Sequence, residues 1–227
     1  MSASAPPKRE AYHHGDVRAA ALAAGLAGLE AGEDVSIRSV ARSIGVAHRA
    51  IAQQFGDRAG FEAALAALGF DRLGAQVARA RDRARGRARG RARDRATDRA
   101  GDRAGFLRAY LGFGLEQPRL YDLMMRQNYA AFETHPELRA AADRMIACSL
   151  EVLAGPDGDA QTRRRAVMRL WMLAHGGLGL HRAGVLMRRS DAAFVEEFLF
   201  IAETAPEPAS SPDQSLWDPN RSEADDR

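Results

Sequence analysis

Arg49 and Gln53 lie four residues apart in HRAIAQQF, residues 48–55. A guanidinium pairs bidentately with the major-groove edge of guanine, and a carboxamide does so with that of adenine. His48, Ala52 and Gln54 fall with them off the apolar face. Side chains with that task must be held rigidly, and the preceding residues supply the means. Ser36 is an N-cap type, whose hydroxyl can satisfy a free N–H of a helix starting at Ile37. Ile37, Val40, Ala41 and Ile44 then fall at helical spacing on one face. Gly45 ends that helix, because glycine accepts the left-handed conformation. Ala50, Ile51 and Phe55 mark a second short helix, and Val46 closes the corner between the two. Ala41 is small where the helices must cross. The spacing predicts a helix-turn-helix, although periodicity alone fits an ordinary pair of core helices equally well.

Other chemistry is sparse. His13, His14 and Asp16 are metal-ligand types, but a metal needs three or four ligands and nothing else converges on these. No metal and no cofactor are expected. Cys148 is the single cysteine, so an internal disulfide is excluded, and it reads as a buried small apolar residue. Neither a phosphate-cradling loop nor a nucleophile elbow occurs, which argues against an enzyme. At 227 residues, 46% hydrophobic but only 7% aromatic, the chain suits one or two all-α domains. It has no 18-residue apolar run, and MSASAPPKRE contains no apolar leader segment. A cytoplasmic protein without a membrane partner is the expectation.

The net charge of +3 is unevenly placed. Residues 1–70 carry seven basic and seven acidic side chains, so overall charge does not by itself argue for nucleic-acid binding there. From Asp71 to Arg103 there are twelve Arg against five Asp, in a repeat of period four that begins RARD, RARG, RARG at Arg79 and ends at Gly105. Ala80, Ala84, Ala88 and Ala92 form a weak helical stripe in it, but each glycine costs about 1 kcal/mol in a helix. The expectation is a fourth helix starting near Arg58, passing Leu73 and Val77, and fraying into a loop around Gly86–Asp98. The rival is an Arg-rich arm that binds nucleic acid without specificity. Further on, Phe106 to Leu115 predicts a buried helix ending before Pro118, and Pro118 to Arg126 a short one. Pro136 starts another, with Leu138, Met145, Ile146, Leu150 and Leu153 inward. Gln161–His181 and Ala192–Thr204 are the last two helices. Proline, serine and acids from Pro206 predict disorder.

The first helical region, YHHGDVRAAALAAGLAGLEAG from Tyr12 to Gly32, carries a Leu22, Leu26, Leu29 stripe. With FGDRAGFEAALAAL, from Phe55 to Leu68, it flanks the predicted helix-turn-helix. The whole of Tyr12–Leu68 resembles the TetR family of bacterial transcriptional regulators. WMLAHG, Trp171 to Gly176, is similar to the Trp-His-Gly signature of one TetR-type C-terminal domain class. The resemblance implies an all-α, TetR-type fold. Residues 12–57 would form a three-helix DNA-binding domain and 58–105 a connecting helix with the Arg-rich repeat. Residues 106–205 would bind ligand and dimerise, between a flexible arm at 1–11 and a disordered tail at 206–227.

The resemblance also implies roles. Arg38 would face DNA from the start of the second helix. His48, Arg49, Ala50, Gln53 and Gln54 occupy recognition-helix positions, and Arg58 matches a basic phosphate anchor. Asp57 would cap the helix that Arg58 starts, and a helix N-terminus itself favours phosphate. Two positions depart from the family pattern, Ala47 where a Ser or Thr cap is usual and Ala52 where a phosphate-binding Tyr is usual. The implied partners are a double-stranded DNA operator, a second copy of the chain and a small apolar or aromatic effector. The homodimer would form through the last two long helices. Candidate walls for the effector site are Phe106, Tyr110, Phe113, Tyr121, Met124, Met125, Met168, Trp171, Met172 and His175. Met and aromatic side chains suit a permissive apolar site, yet they equally suit plain helical core. The implied function is a ligand-released repressor; an Arg-rich nucleic-acid-binding protein and a small helical enzyme are the rivals.

Overall fold

Serine chemistry starts the second helix as expected. In a computed structural model describing residues 14–88, 95–153, 159–186 and 190–204, the Ser36 hydroxyl accepts the Ser39 N–H at 3.1 Å, and the Ser39 hydroxyl accepts the Ser36 N–H at 2.9 Å. This reciprocal box fixes α2 (Ile37–Ser43) behind α1 (His14–Ala31). Gly45 takes φ +71° and the Val46 N–H returns to the Ala41 carbonyl at 3.0 Å, so the chain reverses tightly into α3 (His48–Phe55). Val17, Ala21, Leu26, Val40, Ala41 and Ile51 meet in the middle of the three helices. Phe55 packs edge-on to Phe61 at 5.0 Å, and the Arg18 guanidinium covers the Phe55 ring at 4.8 Å.

Asp57 caps the next helix, its carboxylate accepting the Gly60 N–H at 2.9 Å. That helix, α4 (Arg58–Ala88), is 31 residues long and is the spine of the molecule. Phe61, Leu65, Leu73 and Val77 are buried along it. It packs against α5 (Arg95–Glu116), α6 (Pro118–Met125) and α8 (Pro136–Leu153). Between the last two lies the single turn and a half of α7 (Tyr129–Thr134), capped by Asn128. Pro118 opens α6, where an N–H would find no acceptor within the helix. The remaining elements are α9 (Ala160–Arg182), capped by Asp159, and α10 (Asp191–Thr204). The described residues are thus all helical, without strands.

Two expectations change. Much of the loop expected around Gly86–Asp98 is helix: α4 runs through Ala88 and α5 already starts at Arg95, while residues 89–94 lie outside the described part. Alternating Arg and Ala are strong helix formers, and one exposed glycine per several residues does not outweigh them. Arg81 reaches Glu151 of α8 at 2.7 Å and Arg103 the Ala202 carbonyl of α10 at 3.4 Å, so both ends of the repeat are tied into the fold. Second, Ile146 faces outward, 54% exposed, because the buried stripe of α8 runs through Leu138, Ala141, Ala142 and Met145 instead. The arm at 1–11, with Tyr12 and His13, and the tail from 205 lie outside the described residues. Arg18 of α1 pairs with Glu137 of α8, and Arg119 of α6 donates to the carbonyl of Gly32. These contacts join the three-helix unit to the rest.

Candidate functional site

On α3, Ile51 and Phe55 are spent on the core, so the opposite face is presented outward. His48, Arg49 and Gln53 are exposed, while Ala50, Ala52 and Gln54 are half-buried. The backbone of Gln54 is held by Arg18, which donates to its carbonyl at 3.2 Å. Arg38 is exposed at the start of α2. Ala47 takes the extended N-cap conformation of α3 without a side-chain hydrogen bond. The start of α3 thus relies on water or a ligand for its free N–H groups. Arg58 is exposed beside this face, but its Nε donates to Glu62 at 2.6 Å. That hydrogen bond, ahead of the charge of the same carboxylate, raises the Arg58 pKa. The Arg58 guanidinium is therefore shared with a carboxylate of its own helix in an exposed pair.

The ten candidate wall residues divide into three groups. Phe106, Phe113 and Met124 are almost fully buried and serve as core. Met125 and Met168 are half-buried, and Met172 faces outward at 57% exposure. Tyr110, Tyr121, Trp171 and His175 come together. The Tyr110 and Tyr121 hydroxyls are 3.0 Å apart, and the Tyr121 hydroxyl is 3.1 Å from His175 Nδ1. Trp171 stacks on His175 at 6.2 Å between centroids, and Tyr121 at 5.8 Å.

Proton directions in this chain follow from its end. The Tyr110 hydroxyl is buried, and its hydrogen bond among the described residues is with Tyr121. Tyr110 therefore donates to Tyr121, and Tyr121 to His175 Nδ1. The reverse order would leave the buried Tyr110 proton without an acceptor. In its neutral form the imidazole therefore carries its proton on Nε2. Burial raises the Tyr110 pKa well above the ordinary phenol value, and the neighbouring Tyr121 raises it further. Burial likewise raises Tyr121. Both phenols stay protonated and able to donate.

The chain ends at an open cleft of about 400 Å³ between α6 and α9, lined by Tyr121, Asp122, His175, Gly179, Arg182 and Ala183. Asp122 and Arg182 meet across it, Nη1 to Oδ1 at 2.7 Å and Nη2 to Oδ2 at 2.6 Å. The Arg182 hydrogen bond holds the Asp122 carboxyl below its ordinary range, and the same bond raises Arg182. Sequence reasoning missed this pair. The only signals were an acid directly after Tyr121 and a base two helical turns after His175. A second cleft of about 450 Å³ lies where α1, the segment after it, α4 and α6 meet, with Leu29, Val35, Leu65 and Leu123 among its apolar lining. Charged side chains, Glu33, Asp34, Arg58, Glu62, Arg119, Asp122 and Arg126, make up much of the rest. Among the described residues no group of three His, Cys, Asp or Glu side chains is placed to hold a metal. No described helix is long and apolar enough to cross a membrane.

Residues 104–200 match the family described as the tetracyclin repressor-like C-terminal domain. That span opens within α5 and closes within α10, so it contains both halves of the α6–α9 cleft. Among solved structures, a protein of unknown function from Rhodococcus sp. RHA1 is similar, with 25% identity and a TM-score of 0.64. The match covers 86% of this chain and 97% of that one. A candidate regulatory protein, SCO4313, shares the fold at 18% identity and a TM-score of 0.57, over 83% of this chain and 96% of that one. No curated protein matches the sequence.

Proposed function

We propose that this chain, whose residues 104–200 match the tetracyclin repressor-like C-terminal domain, is a cytoplasmic, homodimeric, DNA-binding repressor released from its operator by a small molecule. The observation that carries the reading is α3, which presents Arg49 and Gln53 outward from a helix-turn-helix held by the Ser36 box and the Gly45 turn. An arginine and a glutamine one turn apart suit bidentate readout of a guanine and an adenine. Arg38 and Arg58 flank them as phosphate contacts.

Dimerisation is supported by the surface of the last two helices. Trp171, Met172 and Leu180 of α9 and Phe200 and Ile201 of α10 are large apolar side chains, each more than 40% exposed. Apolar surface gathered on two neighbouring helices marks an interaction face rather than scatter. A second copy seated there buries it and sets two α3 helices for successive major grooves, about 34 Å apart. An effector acts by binding better to the dimer whose α3 helices are misplaced, and can shift the balance only by that difference in affinity.

The test is binding of the purified protein to DNA from its own upstream region and to random duplex, across a salt series. Specific binding with two protomers per site is expected, and Leu180→Asp should give monomers in sedimentation and lose specific binding. Equal, steeply salt-dependent binding to both duplexes would favour a non-specific arm instead. The tied positions of Arg81 and Arg103 already count against that reading. Against a helical enzyme, the cleft holds a phenol, an imidazole and an ion pair, but no cysteine or serine nucleophile among its lining residues.

A further inference from the structure

The α6–α9 cleft already holds a carboxylate, and it is the protein's own. Asp122 meets the Arg182 guanidinium in two parallel contacts, the fork geometry with which arginine grips a planar carboxylate. The pair stands at the solvent edge, with the Arg182 and Asp122 side chains 32% and 44% exposed. An ion pair open to water is held weakly, so another carboxylate can take the place of Asp122 at small cost. His175 adds a second donor, because its Nδ1 is committed to Tyr121 and its Nε2–H is on the opposite edge of the ring. The Tyr121 and His175 rings, inclined by 29° to one another, line the cleft beside these donors. A volume of about 400 Å³ suits a small ligand.

We propose that this cleft takes a small planar carboxylate, of the aromatic-acid class, which displaces Asp122 from the Arg182 fork. The proposal rests on reading the chain as ligand-responsive, and it replaces an apolar effector with an anionic one. It also names the residue that passes the signal on. Asp122 lines both clefts, the one between α6 and α9 and the one where α6 meets α4, the end of α1 and the segment that follows it. Arg126 already acts on the Asp122 carboxylate, and Arg119, on the same short helix, holds the Gly32 carbonyl at the end of α1. A displaced Asp122 turns toward these guanidiniums and alters the contact that seats the DNA-binding unit.

The experiment is calorimetric titration of the full-length protein with benzoate, cinnamate and 1-naphthoate, beside the carboxamide of each. At least one acid should saturate with one site per protomer, and its amide should bind at least about tenfold more weakly. Asp122→Asn, which removes the internal competitor, should tighten the acid about tenfold, and Arg182→Met should abolish acid binding. A variant that merely loosens the fold cannot produce the gain expected of Asp122→Asn. Equal affinity for acid and amide, no tightening in Asp122→Asn, or no saturation by any acid at about 10 mM would each overturn the proposal. DNA affinity is read separately. Acid binding with these variant effects but unchanged DNA affinity keeps the ligand class and refutes the regulator reading. Release from DNA by neutral compounds alone does the reverse.

Discussion

Tyr121→Phe isolates the hydroxyl on which the Tyr110–Tyr121–His175 chain depends. Phenylalanine keeps the ring and its stacking on His175, so no cavity forms and the change is in hydrogen bonding alone. Two bonds are lost, at 3.0 Å to Tyr110 and 3.1 Å to His175. Their costs differ. His175 is exposed and water replaces Tyr121 at Nδ1, which keeps that loss below about 0.5 kcal/mol. Tyr110 is only 6% exposed and is left with an unsatisfied donor, a penalty of about 1–3 kcal/mol. The sum is about 2 kcal/mol, or roughly 4–8 °C in Tm for a chain of this size. Urea unfolding at fixed protomer concentration should show a lower midpoint with an unchanged slope. The double variant Tyr110→Phe/Tyr121→Phe provides the control. With both hydroxyls gone no donor is orphaned, so it should be no less stable than Tyr121→Phe alone. Strict additivity of the two single variants, or a Tyr121→Phe cost under about 0.5 kcal/mol, would refute the assigned proton directions.

Arg49→Ala should lose about 1–3 kcal/mol of discrimination between operator and random duplex in competition binding; equal loss on both would remove Arg49 from base readout. Arg58→Ala should weaken all duplexes alike and reduce the salt slope by about one, whereas Glu62→Gln frees the Arg58 guanidinium and should strengthen binding to every duplex. A Glu62→Gln protein no tighter than the parent would show that the Arg58–Glu62 pair does not compete with phosphate. Acid should also weaken the fold through Asp122. Its folded pKa is depressed by Arg182, so its contribution is complete above pH about 4 and is lost as pH falls through the folded value. Because the pair is partly exposed, that contribution is below about 1 kcal/mol. Urea midpoints followed into acid should therefore fall less steeply for Asp122→Asn than for the parent.

The helix-turn-helix was legible because its determinants are local. Ser36, Gly45 and the Ile37, Val40, Ala41, Ile51, Phe55 spacing act within about twenty residues, and capping, chain reversal and burial each leave a direct mark on residue type. The all-helical class followed from the same kind of signal. Whether the Arg-Ala repeat was helix was less legible, since propensity and glycine cost nearly balance until Arg81 and Arg103 find partners on α8 and α10. The α6–α9 cleft was legible only in part. Trp171 and His175 share a helical face by spacing, but nothing in the sequence pairs Tyr110 with Tyr121, or Asp122 with Arg182 across sixty residues. Nor does periodicity separate Phe113 and Met124, sealed in the core, from Trp171 and Met172 on the surface. An apolar residue looks the same in a sequence whether its neighbour is another helix, a ligand or a second subunit. Local chemistry thus decided where the helices begin, end and turn. Which of their faces meet, and so which polar groups converge on a cleft, was decided by packing between elements far apart in the chain.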